Sequence, residues 1–254
     1  MKTYRDLQIL VAKEADLGEG LSVLDAGTGP SAYFSVCLAE IVGNRGPVVA
    51  VDYEREYASG IREAVANSGF SETISFILAD VRCIPVRSRA LDVAVSLHAV
   101  ENMYGNAVDV EEVVKEYIRE SARIVKSGGK VAVGTGYPVP RSKSQQTFIE
   151  LRLFEGKIEY FLWGEQSRYF FEHELVSWFE KAGLENVEAK IIDHNIPYPR
   201  DVRNRGNERI TRRLKQVKPK SRRAKLQKEF HELLKNLEEH GEEWAPTLLV
   251  SGTK

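Results

Sequence analysis

The apolar positions of this chain change period repeatedly. Short β-branched runs occur at LSVLD (21–25), PVVAVD (47–52), TISFILA (73–79), LDVAVSL (91–97), KVAVGT (130–135), VEAKIID (187–193) and TLLVSG (247–252). Runs of this length and composition, bounded by turn residues, predict strands. Between them the period lengthens to that of a helix. Residues 31–42 place Phe34, Cys37, Leu38 and Ile41 on one face and stop at Gly43, and Val110, Val113, Val114, Tyr117, Ile118 and Val125 form a stripe ahead of Ser127-Gly128-Gly129. A further helix, HELVSWFEKAGLE, runs to Gly183 and the strand beyond it. The alternation of strands and helices predicts an α/β fold with a mostly parallel sheet covered by helices.

Composition excludes some classes. A chain of 254 residues with 43% apolar residues can bury the core of one domain carrying insertions. No apolar run approaches the roughly 20 residues of a membrane-spanning helix, and the start MKTYRDLQILVAKEAD carries acids within an amphipathic pattern rather than a signal peptide. A cytoplasmic protein without membrane partners is expected. Cys37 and Cys83 lie far apart and suggest neither a disulfide framework nor a zinc cluster. His173, His194, His231 and His240 show no metal-ligand spacing, so no metal is expected.

The chemistry concentrates in VLDAGTGPSAYFS (23–35), where a strand meets an acid, two glycines and a helix start. Such a turn lets backbone approach a nucleotide and aims helix N–H groups at it. GTGPSA also satisfies the glycine pattern of a nicotinamide-binding fold, with Asp52 at about the interval of a ribose acid. Charge separates the two. Asp25 beside the first glycine repels a pyrophosphate, and Pro30 removes an N–H that a pyrophosphate uses, whereas an acid suits the ammonium and sulfonium of S-adenosylmethionine.

Four stations now match in order and spacing. Asp25-Ala-Gly27-Thr-Gly29, Asp52 at the end of the second strand, Asp80 opening DVRCIPVRSRALDVAVS, and RIVKSGGKVAVGT together resemble the class I S-adenosylmethionine-dependent methyltransferases, over roughly residues 20–193 and the final strand. The third glycine of the fuller pattern is Ser31 here, and Ser127 stands where the family often has proline. The resemblance implies a Rossmann-like, doubly wound, seven-stranded sheet, parallel with an antiparallel last strand. It implies S-adenosylmethionine as cofactor, bound by Asp25, Ala26, Gly27, Thr28, Gly29, Asp52, Tyr53, Asp80, Val81 and Ser96. The alternatives weighed are an NAD(P)-dependent oxidoreductase and a non-catalytic RNA-binding protein on the same fold.

Methyl transfer needs a base only where the acceptor must lose a proton. His98 in HAVENMY, after the fourth strand, is the leading candidate, with Glu101 and Tyr104 behind it, against the plainer reading of a histidine bonded to nearby backbone. No D-P-P-Y or N-P-P-Y follows the fourth strand, and no cysteine lies there to act on cytosine. The acceptor stays open among small molecule, RNA and protein.

Two insertions set the chain apart from the family pattern within one domain spanning 1–254. In the first, 137–169, the alternation of Leu151, Leu153, Ile158, Tyr160 and Leu162 about Glu155-Gly156 predicts a hairpin, serving as a pocket wall, a sheet cover or a homodimer contact. The second, 194–245, is expected to overhang the active site as a basic helical cap. Leu226, Phe230, Leu233, Leu234 and Leu237 share one helical face there. Within it, residues 200–228 hold 13 Lys or Arg against Asp201 and Glu208, a charge of +11 in a chain whose net charge is −1. Arg203, Arg205, Arg209, Arg212, Arg213, Lys215, Lys218, Lys220, Arg222 and Arg223 would attract an anionic acceptor, a phosphorylated small molecule ahead of RNA because no aromatic residues interleave to stack bases. A solvated charged face is the plainer alternative.

Overall fold

The computed structural model describes residues 3–103, 109–164 and 167–254. Seven strands, β1 (Val23–Ala26), β2 (Val48–Asp52), β3 (Ile74–Leu78), β4 (Leu91–Leu97), β5 (Val125–Gly136), β6 (Glu185–Ile192) and β7 (Thr247–Thr253), form one sheet in the order β3-β2-β1-β4-β5-β7-β6. β1 to β5 pair in parallel, and β7 lies antiparallel between β5 and β6. All strands except β7 therefore point their carboxyl ends the same way, as the sequence pattern predicts.

Side-chain alternation divides the core into two layers. Val23, Val48, Ala50, Val93 and Val95 face α1 (Tyr4–Glu14), α2 (Tyr33–Val42) and α3 (Ala58–Asn67). Their sequence neighbours Leu24, Val51 and Ala94 face α4 (Val110–Ile124), and Val131, Val133 and Val250 extend that layer to α6 (Glu172–Lys181). Both faces being covered explains why the strands read as continuous apolar runs.

The first insertion is where the expectation fails. Residues Lys143–Trp163 form one helix, α5, rather than a hairpin. Leu151, Phe154 and Ile158 are buried at helical spacing, whereas Leu153 and Tyr160, read as strand positions, are 50% and 55% exposed. Glu155 sits mid-helix and buried, so it turns nothing. The true boundary signals lie further apart: Ser142 accepts a hydrogen bond from the Gln145 N–H at the start, and Gly164 closes the end.

α5 packs against the second insertion, which folds as α7 (Arg200–Leu214) and α8 (Lys220–His240). These three helices share a core of their own built on Leu151, Phe154, Ile158, Ile210, Leu226 and Phe230, with the Phe154 and Phe230 rings stacked at 5.6 Å. Beside it lies an ionic cluster. Arg209 and Arg213 donate to the buried Glu155 at 2.6 and 2.9 Å, Arg213 reaches Glu159 at 2.5 Å, and Arg152 pairs with Glu155 at 3.1 Å. Burial pushes Glu155 up, but the Arg209 hydrogen bond and the charges of Arg152, Arg209 and Arg213 outweigh it and hold the carboxyl below its ordinary value. Part of the basic stretch thus exists to neutralise acids on α5.

Phe230→Ala removes the ring that joins α8 to α5 and is expected to cost about 3–5 kcal/mol of local stability. Hydrogen exchange checks this: amides of α7 and α8 should exchange faster while those of β1, β2 and β4 keep their protection, and equal acceleration throughout would show that the cap and sheet open as one unit.

Candidate functional site

The parallel strands bring their carboxyl ends to one crevice, the place where ligands bind in open α/β sheets. β1 delivers Asp25 and Ala26 and leads into Gly27, Thr28 and Gly29; β2 ends at Asp52 with Tyr53 beyond it; Asp80 and Val81 follow β3, and Ser96 lies in β4. The glycine turn is tightly made. The Gly27 and Thr28 N–H groups donate to the Val51 carbonyl, and Gly27 has φ +78°. A Cβ there would lie 2.4 Å from that of Ala99, so the segment after β4 rests directly on the turn. Ser96 ties the same strands together by donating to the Ala26 carbonyl at 2.9 Å.

The three acids have different surroundings. Asp52 accepts from the Gly29 and Glu54 N–H groups at 2.8 and 2.9 Å, one on each oxygen, which leaves lone pairs on both. Asp80 accepts a forked pair from Arg82 Nε and Nη2, and that hydrogen bonding holds its carboxyl below the ordinary value. Asp25 is 1% exposed and accepts from the Ser35 hydroxyl. Burial pushes it up to about 6 against the opposing hydrogen bonds of Ser35 and Thr28, and the Asp52 charge adds to the rise. α2 begins on Ala32 with no side-chain cap, so its first N–H groups carry the positive end of the helix dipole toward the turn.

These residues fit S-adenosylmethionine. Acids surround the turn, no basic side chain stands in it, and the uncapped helix start offers donors for one carboxylate. Burial, and then the charges of Asp52 and Glu54, push the Tyr57 hydroxyl above its ordinary value, and Arg209 of α7 opposes them.

On the other side of the crevice the structure assembles a group that the sequence pattern did not disclose. His98, at φ +51°, donates its backbone N–H to the Gly134 carbonyl, while its ring nitrogens meet the Tyr4 hydroxyl at 3.2 Å and Thr247 Oγ1 at 3.0 Å. His194 Nε2 reaches the same threonine at 3.1 Å. Trp244 stacks on His98 at 5.3 Å and on Tyr4 at 5.0 Å. Burial and the neighbouring His194 push His98 down to about 3, so its ring is neutral across the working range. Glu101 accepts from the Thr135 hydroxyl at 2.8 Å, and burial holds its carboxyl above the usual range. The Tyr4 hydroxyl is kept protonated by burial and then by the charges of Glu101 and Asp25. Tyr169 closes the far wall; its ring lies where a Cβ on Gly136 would be, 2.5 Å away. Tyr104 lies outside the described residues. Thr135, His194, Trp244 and Thr247 carry no local motif, and their only signal is a position near the end of a strand; Tyr4, at the start of α1, and Tyr169, between α5 and α6, have not even that.

Known proteins agree with this geometry. A family model described as a methyltransferase domain matches residues 24–133. Demethylmenaquinone methyltransferases of Shouchella clausii and Anoxybacillus flavithermus are 27% and 28% identical to it over 191 and 189 residues, covering 70% of this chain and 76% of each relative. A SAM dependent methyltransferase from Aquifex aeolicus superposes with a TM-score of 0.55 at 20% identity over 73% of this chain and 82% of its own. A cyclopropane-fatty-acyl-phospholipid synthase-like protein from Lactobacillus casei gives 0.74 at 15% identity over 98% and 90%. Residues 24–133 are therefore a methyltransferase domain on a Rossmann-like sheet. The matched domain and these relatives make the protein an S-adenosylmethionine-dependent methyltransferase, with S-adenosylmethionine as its cofactor. Neither the oxidoreductase nor the non-catalytic alternative finds support. No helix among the described residues is long and apolar enough to cross a membrane.

Asp25 yields a test by linkage. Its carboxyl titrates higher in the folded state than its ordinary 3.8, so the stabilisation it contributes is present below that value and lost as pH rises through about 6. Asp25→Asn should therefore stabilise the cofactor-free protein at pH 7 by up to about 3 kcal/mol. Thermal melts from pH 4 to 8 should show variant and wild type converging at the acid end, separating as the pH rises from about 4 to about 6, and keeping a constant gap above that.

Proposed function

We propose that this methyltransferase acts on a small, planar, hydroxylated aromatic acceptor of the quinol class, and that Glu101 takes the proton the acceptor gives up on gaining its methyl group. The observation that carries the reading is the Glu101 carboxyl, hydrogen-bonded to Thr135 and held by burial above its ordinary range, with its charge felt by the Tyr4 and Tyr169 hydroxyls and Trp244 stacked on Tyr4. A carboxylate whose proton affinity is raised by burial is a stronger base than a free one. His98 is less suited to that task, since both its nitrogens are engaged and its ring resists protonation. It instead holds Tyr4 and Trp244 in place. The demethylmenaquinone acceptors named for the relatives support a small aromatic ring.

S-adenosylmethionine, when bound, supplies an electrophilic methyl group. Gly27, Thr28 and Gly29 would bring backbone against it, Asp25 would balance its positive charge, and Asp52 would receive the ribose hydroxyls on its remaining lone pairs. Tyr53, Asp80, Val81 and the Ala26–Ser96 pair would shape the adenine and methionine ends. The chain's contribution is then orientation and exclusion of water, on the order of 7–11 kcal/mol for well-placed groups. An anionic acceptor gains nothing from the basic residues already spent: Arg209 and Arg213 pair with Glu155, Arg205 with Asp201, and Arg223 donates to the Lys215 carbonyl.

Labelled methyl groups offered with cell extract should enter the small-molecule fraction and not RNA or protein. Incorporation into a macromolecule would overturn the acceptor class. Glu101→Gln should lower turnover by about 10²–10⁴ with little change in cofactor affinity, and should remove the acid limb of the pH–rate profile. His98→Gln should leave that limb in place.

A further inference from the structure

Buried polar atoms without partners collect beneath the helical cap. Among the described residues they include both carboxylate oxygens of Glu242, Nε and Nη2 of Arg152 and Nε1 of Trp244. Arg152 comes from α5, while Glu242 and Trp244 come from the turn between α8 and β7, so distant parts of the sequence supply one place. The Arg152 guanidinium lies 5.7 Å from the Phe148 ring and 5.8 Å from that of Tyr198, and Tyr198 meets Trp244 edge-on at 4.8 Å. The opposite neighbour of Trp244 is His98. Beyond burial itself, the charges of Glu101, Arg152 and Glu242 all act on the ionisation of the enclosed Tyr169.

Groups of this kind forfeit their hydration and gain nothing in exchange unless something pairs with them. Glu242 is 5% exposed, and burial raises its carboxyl despite the charges of Arg152 and Arg203. Arg152 uses Nη1 on Glu155, leaving Nε and Nη2, the two parallel donors of one guanidinium edge. The edge and the carboxyl do not bond to each other. Charge then decides what fits between them: an anion would face Glu242, a cation would face Arg152, and a neutral hydroxyl, acceptor and donor in one atom, satisfies both.

We infer that Arg152 and Glu242 form a subsite for a ring hydroxyl at the far end of the acceptor, the arginine edge donating to the oxygen and the oxygen donating to the carboxylate. The inference rests on the hydroxylated-aromatic reading of the acceptor and adds the residues that would select it. Phe148, Tyr198 and Trp244, whose rings pack on one another, form an apolar aromatic cluster beside this pair.

The test compares 1,4-naphthalenediol with 1-naphthol, which lacks the second hydroxyl, by calorimetry under argon on the full chain saturated with S-adenosylhomocysteine. The diol should bind the wild type tighter by roughly 10–100-fold, the scale of hydrogen bonds to charged groups. Glu242→Gln and Arg152→Lys should shrink that ratio while 1-naphthol and S-adenosylhomocysteine bind as before. Equal binding of the two compounds to the wild type overturns the subsite and leaves the acceptor class standing. Binding of neither overturns the aromatic acceptor and the subsite with it, while retained S-adenosylhomocysteine binding keeps the methyltransferase assignment apart from both.

Discussion

The parallel pairing of β1 with β2 and β4 is the interaction on which the rest of this molecule depends. Val23, Leu24 and Asp25 lie beside Val48, Val49 and Ala50 on one side and Val93, Ala94 and Val95 on the other. A parallel register of this kind brings every carboxyl end to the same edge, so the glycine turn, Asp52 and the segment after β4 meet without any direct sequence link. It also forces close quarters. Gly27 has Ala99 where a side chain would be, and Asp25 gives up hydration to sit beneath the turn.

That burial illustrates how a binding site trades against stability. At neutral pH the folded chain holds Asp25 as an anion in surroundings that favour the acid, with Ser35 and Thr28 offsetting part of the cost. A cationic ligand is the natural complement to such a charge. A buried acid of this kind lowers the stability of the fold at neutral pH, the pattern expected where function and stability compete.

The helical cap solves a different problem. The 54 residues between β6 and β7, together with α5, form a small core of their own that carries a dense set of charges. Arg209 and Arg213 reach inward to Glu155 and Glu159, and Arg213 and Arg222 lie 4.9 Å and 4.6 Å from the rings of Trp163 and Phe161. A buried ionic cluster is weak evidence for added stability, since desolvation offsets most of the attraction, but an unmatched member is expensive. The arrangement therefore favours one docking of α7 on α5 over others, and with it one shape for the roof above Tyr198 and Trp244.

The sheet was legible in the sequence because its causes are local. A strand buried on both faces must be apolar throughout and a tight turn needs glycine; LSVLDAGTG states both. The positions of Asp25, Asp52 and Asp80 were legible for the same reason, each standing at or just beyond the end of a strand. The insertion at 137–169 was not, because Leu151, Leu153, Ile158, Tyr160 and Leu162 fit an alternating pattern until burial chooses among them, and only packing against Ile210 and Phe230 does so. The +11 charge of residues 200–228 was visible, but its partners Glu155 and Glu159 lie some fifty residues away on another element. His98 and Glu101 could be named from their place after β4. What surrounds them, Tyr4 from the first helix, Thr135 from β5, His194, Trp244 and Thr247 from the far end of the chain, was decided by tertiary structure alone, because hydrogen bonds and ring contacts between distant segments leave no periodicity in the sequence that makes them.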